Sequence, residues 1–64
     1  MKRFWFACTS VLDGSEVWIN SQYVMKVDMV AMGTRILLVN GGICIVKEPM
    51  HEILEMITGV NPKL

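Results

Sequence analysis

The sequence predicts an α+β domain, mainly β: a small antiparallel five-stranded meander or barrel-like sheet with one C-terminal α-helix. Three observations carry that expectation. Apolar and β-branched residues alternate through short runs punctuated by Asp13-Gly14, Asn20-Ser21-Gln22, Gly33 and Asn40-Gly41, the spacing and turn chemistry of antiparallel hairpins. After Glu48-Pro49 the period changes, and Met50, Ile53, Leu54 and Ile57 fall at i, i+3, i+4 and i+7, a helical stripe wide enough to cover a sheet face. The whole chain has 64 residues, which suffices for one domain with one small core.

Each element has its own warrant. Residues 2–12 read as a strand with Phe4, Phe6, Cys8 and Ser10 on one face and Trp5, Ala7, Thr9 and Val11 on the other, the two-residue period of a pleated chain. Asp13-Gly14 turns the chain into a second strand, residues 15–20, with Val17 and Ile19 inward and Glu16, Trp18 and Asn20 outward. After the polar break, residues 23–32 alternate again, Lys26 and Asp28 sharing one face two residues apart. Strands at 34–39 and 43–47 flank Asn40-Gly41, a dipeptide suited to a two-residue type I′ turn. That turn sets Ile36, Leu38, Ile43 and Ile45 against the helix and leaves Arg35, Leu37 and Val39 outward. The helix spans about 49–58, with Pro49 in its first turn, Glu52 placed to suit the dipole, and Gly59 at its C-terminal stop. Residues 60–64 form a fraying tail.

Composition narrows the function. Hydrophobic residues make up 53% of the chain and charged residues 19%, below the roughly 25% of an average soluble domain. A core this small cannot absorb that much apolar surface, so the remainder is expected to form an interface, and self-association supplements a marginal core. Six basic residues balance six acidic ones, which excludes affinity for a nucleic acid polymer built on phosphate neutralisation. No apolar run reaches the roughly 18 residues of a membrane span, and Met1 to Ala7 lacks the apolar region of a signal peptide. A soluble, cytoplasmic, self-associating protein is expected.

Chemistry-bearing residues are few. His51 is the single histidine; without a Ser-His-Asp or Cys-His spacing it reads as an exposed helix residue rather than a general base. Cys8 and Cys44 lie in apolar strands, where a free thiol behaves as a small buried hydrophobe. Gly41-Gly42 opens no helix, so it is a turn and not a phosphate loop. No metal spacing occurs, and neither catalytic residues nor cofactors are expected. Met25, Met29, Met32, Met50 and Met56 read as core filling, with an adaptable partner surface as the alternative. Trp5, Trp18, Arg35, Leu37 and Val39 are the candidate interface or ligand-binding residues. They alternate opposite to the helix-facing set, and two tryptophans with an arginine suit either a protein contact or a planar anionic ligand.

The order of Leu12-Asp13-Gly14, Glu16-Val17-Trp18-Ile19-Asn20, Tyr23-Val24, Gly33-Thr34-Arg35-Ile36, Val39-Asn40-Gly41 and Val46-Lys47-Glu48 before a short acidic amphipathic helix resembles the FlbD/SwrD-type family. The resemblance covers roughly residues 11–57. It implies a small accessory flagellar or swarming-motility protein that supports motor power, with no enzymatic activity. The function expected is therefore a non-catalytic, homo-oligomeric accessory or binding protein. The alternative is a phage-encoded sponge or inhibitor that sequesters a nucleotide-like signal at a subunit interface.

Overall fold

Five strands, a single 3₁₀ turn and one α-helix succeed one another along residues 4–59, the part of the chain described by the computed structural model. The expected strand residues Lys2 and Arg3 and the expected fraying of 60–64 lie outside the described residues. Strand β1 (Trp5–Thr9) pairs antiparallel with β2 (Glu16–Asn20), from Trp5 opposite Asn20 to Thr9 opposite Glu16. Within β1 and β2 the expected alternation holds, with Phe6, Cys8 and Ile19 buried and Trp5, Glu16 and Trp18 exposed, but Phe4, expected on the inner face, precedes β1 and is exposed. The connection is longer than Asp13-Gly14 alone. Ser10 N–H donates to the Ser15 carbonyl at 2.8 Å and Gly14 N–H to the Ser10 carbonyl at 2.9 Å, while the Asp13 carboxylate accepts from Ser15 N–H at 2.9 Å.

The five strands do not form one meander or barrel. They divide into a two-stranded sheet, β1-β2, and a three-stranded sheet in the order β3-β4-β5, built from β3 (Val24–Val30), β4 (Gly33–Leu38) and β5 (Ile43–Val46). The physical cause is the polar break. Asn20 Oδ1 accepts from Gln22 N–H at 2.9 Å and caps a 3₁₀ turn, Ser21–Tyr23, so the chain is turned away and β2 never pairs with β3. The sheets touch at one corner through a bridge between Ser10 and Val46, flanked by Lys47 N–H donating to the Thr9 carbonyl at 2.8 Å and Val11 N–H to the Ile45 carbonyl at 3.0 Å.

Strand β5 faces the other way from expectation. Leu37 pairs with Ile43, Ile36 with Cys44, Arg35 with Ile45 and Thr34 with Val46. A two-residue turn at Asn40-Gly41 would have paired Leu38 with Ile43. Instead Gly41 N–H donates to the Leu38 carbonyl at 2.9 Å and Leu38 N–H to the Gly42 carbonyl at 2.8 Å. Only Gly41 of the loop has positive φ, at 91°, which is a type I turn followed by a left-handed glycine, the three-residue hairpin. One residue of register inverts every side chain. Cys44 and Val46 therefore face the core, and Ile43 and Ile45 face outward. A bulge between Val24 and Lys26 likewise breaks the alternation expected in β3, turning both Val24 and Val27 toward the core.

Helix α1 (Met50–Thr58) begins with Pro49 at its N-cap rather than in its first turn, and ends on Gly59, whose N–H donates to the Glu55 carbonyl. Ile53 is fully buried and Met56 and Ile57 pack beside it, whereas Leu54, expected in the stripe, is 40% exposed. The core is Phe6, Cys8, Ile19, Ile36, Val46 and Ile53, so both sheets and the helix contribute to a single apolar centre. Among the described residues no buried side-chain polar atom lacks a hydrogen-bond partner. That is what an interior of low dielectric demands.

Candidate functional site

Opposed residues of an antiparallel ladder share a face, so the register defines the outer surface of the second sheet. One row is Asp28, Arg35 and Ile45, and the next is Lys26, Leu37 and Ile43. Arg35 Nε donates to Asp28 Oδ1 at 3.0 Å, and Nη2 donates to Oδ2 to complete a fork. The hydrogen bonds from Arg35 hold the Asp28 carboxyl below its ordinary value and raise the guanidinium further. Because both groups are solvent-exposed, the pair orders this face more than it stabilises the fold. Val39 stands exposed at the hairpin loop, its N–H donating to the Tyr23 carbonyl at 2.8 Å.

Trp5 and Trp18 lie on the outer face of the first sheet, 59% and 60% exposed. Trp5 is opposite Asn20 and Trp18 opposite Ala7, which makes the indoles diagonal neighbours. The five candidates thus fall into two groups: the tryptophans on β1-β2, and Arg35, Leu37 and Val39 on or beside β4. Arg35 is engaged by Asp28 on its own sheet. Ile43 and Ile45 belong to the outer surface and were missed, since the signal that decides their face is the loop register and not their alternation. Tyr23 is also exposed. Methionines 25, 29 and 32 are 60–71% exposed, so the core-filling expectation is corrected for them; the break in alternation at the bulge and their position on and after the first strand of the sheet leave them outside. Met56 does pack against the core.

A shallow, open groove at the end of the first sheet is lined by Ala7, Cys8, Thr9, Gly14, Glu16 and Glu48. Thr9 donates to Glu48 twice, from N–H to Oε1 and from its hydroxyl to Oε2, both at 2.9 Å. The buried Thr34 hydroxyl donates to the Glu48 carbonyl at 2.7 Å. These bonds tie the strand-to-helix junction to both sheets. Burial above all, with Glu48 and Cys44 adding to it, pushes the Cys8 thiol up to about 12; Cys44 is raised by burial too. Such thiols stay protonated at neutral pH and are poor nucleophiles. His51 is exposed on the helix. Among the described residues no group of three or more His, Cys, Asp and Glu could hold a metal ion, and no helix is long and apolar enough to cross a membrane.

Glu48 also carries a pH dependence. Burial pushes its carboxyl up, but the hydrogen bonds from Thr9 outweigh burial and hold it below its ordinary value of 4.5. Asp13 is lowered by its bonds to Ser15, and Asp28 by Arg35. A carboxyl depressed in the folded state contributes stability that is complete above its unfolded value and is lost as the pH falls through the folded one. The urea midpoint is therefore expected to drop as the pH is lowered from neutrality through and below the carboxylate range. The drop should be shallower in Glu48→Gln. Identical slopes for the two proteins would show that the Thr9–Glu48 bonds add nothing.

The comparison with protein families now bears on this surface. The family model for FlbD, described as flagellar and swarming motility proteins, matches residues 10–63. The chain belongs to the FlbD family. No match was found among curated proteins or among solved structures. The match includes β2 through α1 and so contains Trp18, Arg35, Leu37 and Val39, while Trp5 precedes it. The resemblance seen in the turn and core residues is thereby established as membership. Those residues shape the loops and the interior, and the outward side chains are where a binding role has to be sought.

Proposed function

We propose that this FlbD-family chain is a non-catalytic, homo-oligomeric accessory protein of flagellar or swarming motility that acts in the cytoplasm by binding through its outer sheet faces. The observation that carries this is the outward apolar surface, with Trp5, Trp18, Tyr23, Val39 and Ile43 each more than half exposed on a chain whose core holds few side chains. Exposed aromatic and aliphatic groups gathered on sheet faces are the material of interface hot spots. Among the described residues the two thiols are pushed toward the neutral form, and His51 is exposed on the helix. The phage-sponge alternative would draw Arg35 and the tryptophans together from different subunits, since within one chain Arg35 is paired with Asp28 on the other sheet.

The test is complementation of a strain lacking this gene. The double variant Trp5→Ser/Trp18→Ser should fold, with an unchanged far-UV spectrum, and fail to restore swimming or swarming at matched protein levels. Full restoration by the double variant would sink the binding reading. Titration of the wild type with cyclic nucleotides and ADP-ribose derivatives should leave tryptophan fluorescence flat; a saturable change would favour sequestration instead.

A further inference from the structure

Strand β3 ends the three-stranded sheet, and among the described residues no strand pairs with its far edge. No backbone hydrogen bond from Met25 to Val30 leaves the β3-β4 ladder either. An open edge of this kind is a template for another strand. Its sequence, Val24-Met25-Lys26-Val27-Asp28-Met29-Val30, reads symmetrically about Val27. Reversed and laid against itself, it sets valine against valine, methionine against methionine, and lysine against aspartate.

We propose that β3 pairs antiparallel with β3 of a second copy of this chain, on a two-fold axis through Val27, joining two three-stranded sheets into one of six strands. The inference rests on the self-association in the reading above and names its surface. Lys26 then lies opposite Asp28 of the second copy, Asp28 opposite its Lys26, and Val27 opposite its Val27. Charge selects the register. A two-residue slip in one direction opposes Lys26 to Lys26, and in the other it opposes Asp28 to Asp28, each a like-charge contact. A one-residue slip would turn one copy's core face to the other's outer face. The Val27-centred register therefore stands alone among its neighbours in matching both charge and face.

The surrounding surface agrees with this pairing. Asp28 already holds Arg35 on its β4 side, so the seam would carry Arg35, Asp28 and the second copy's lysine in alternating sign across the outer face. Lys26 is exposed and stands beside Asp28 on the outer face. The exposed Met29 would flank the seam on the row of Val27, where an unbranched thioether adapts to an irregular contact. The bulge at Met25 limits the regular ladder to the segment about Val27 and keeps pairing from running further along the strand. Of the other strands at a sheet edge, β2 has one charged residue, Glu16, and β1 and β5 have none, so none offers such a complement.

Sedimentation equilibrium of the full chain tests the proposal. The wild type should be a dimer, and Lys26→Glu, which turns both unlike pairs into like ones, should weaken association by about tenfold or more. Its far-UV spectrum should not change. The triple reversal K26E/D28K/R35E restores the alternation of sign and should recover the dimer. A dimeric wild type whose association is untouched by Lys26→Glu, or a triple variant no tighter than the single one, overturns the β3 seam while leaving self-association in place. A wild type monomeric at micromolar concentration overturns both.

Discussion

Gly33→Ala is expected to leave the chain largely unfolded. Gly33 starts β4 where it runs closest to the end of β5. A Cβ added there would sit 2.0 Å from the Val46 carbonyl oxygen, 3.0 Å from its carbon and 3.1 Å from the Lys47 Cα. All three atoms are backbone, so no rotamer change relieves the overlap, and φ at this position is 151°, a region that side-chain-bearing residues rarely adopt. The strands would have to separate at the point where Thr34 pairs with Val46 and where the Ser10–Val46 bridge joins the sheets. A loss above about 4 kcal/mol is expected, against a total of roughly 3–10 kcal/mol for a chain of this length. Gly41→Ala is the control. Its added Cβ meets nothing within 4 Å, so its cost is limited to the positive φ, about 1–2 kcal/mol. Urea unfolding followed by far-UV circular dichroism separates the two, and a wild-type midpoint for Gly33→Ala would refute the close approach of β4 to Val46.

Ile53→Ala should have the second largest effect. Ile53 is the fully buried side chain of α1, packed in one cluster with Phe6 and Ile19 of the first sheet and Ile36 and Val46 of the second. Removing its outer carbons leaves a cavity where three elements meet, at about 2–5 kcal/mol. Leu54→Ala, one residue along, should cost within about 1 kcal/mol because Leu54 already faces water over much of its surface. Thermal unfolding of the two variants reads out the rotation of the helix directly. Equal losses would mean that the sheet receives a different helical face from the one described.

The pair of substitutions also marks how far the sequence could be read. The helical period placed Met50, Ile53, Leu54 and Ile57 in one stripe, and any of the four could have led it. Only docking against two sheets sets the centre of the buried face between Ile53 and Met56–Ile57. The same division holds for the candidate site. Trp5 and Trp18 were legible as outward because their strand alternates without interruption, and Arg35 because it shares its parity with Leu37. Ile43 and Ile45 were misplaced by one residue of loop, and Asp28 became the partner of Arg35 only once β3 and β4 were in register.

Local chemistry written in the sequence determined that five segments are strands, that a helix follows Pro49 and stops at Gly59, and that apolar surface would be left over. Alternation, turn residues and the period of the final segment act over a few residues, so they are visible without a fold. Tertiary structure alone decided that the strands divide into two sheets, which face of β5 is buried, and which edge stays open. Those outcomes depend on a single 3₁₀ turn at Ser21–Tyr23, on a three-residue rather than two-residue loop ending at Gly41, and on the bulge at Met25. Each shifts the chain by one residue or one turn. In a pleated strand that is the distance between the core and the solvent.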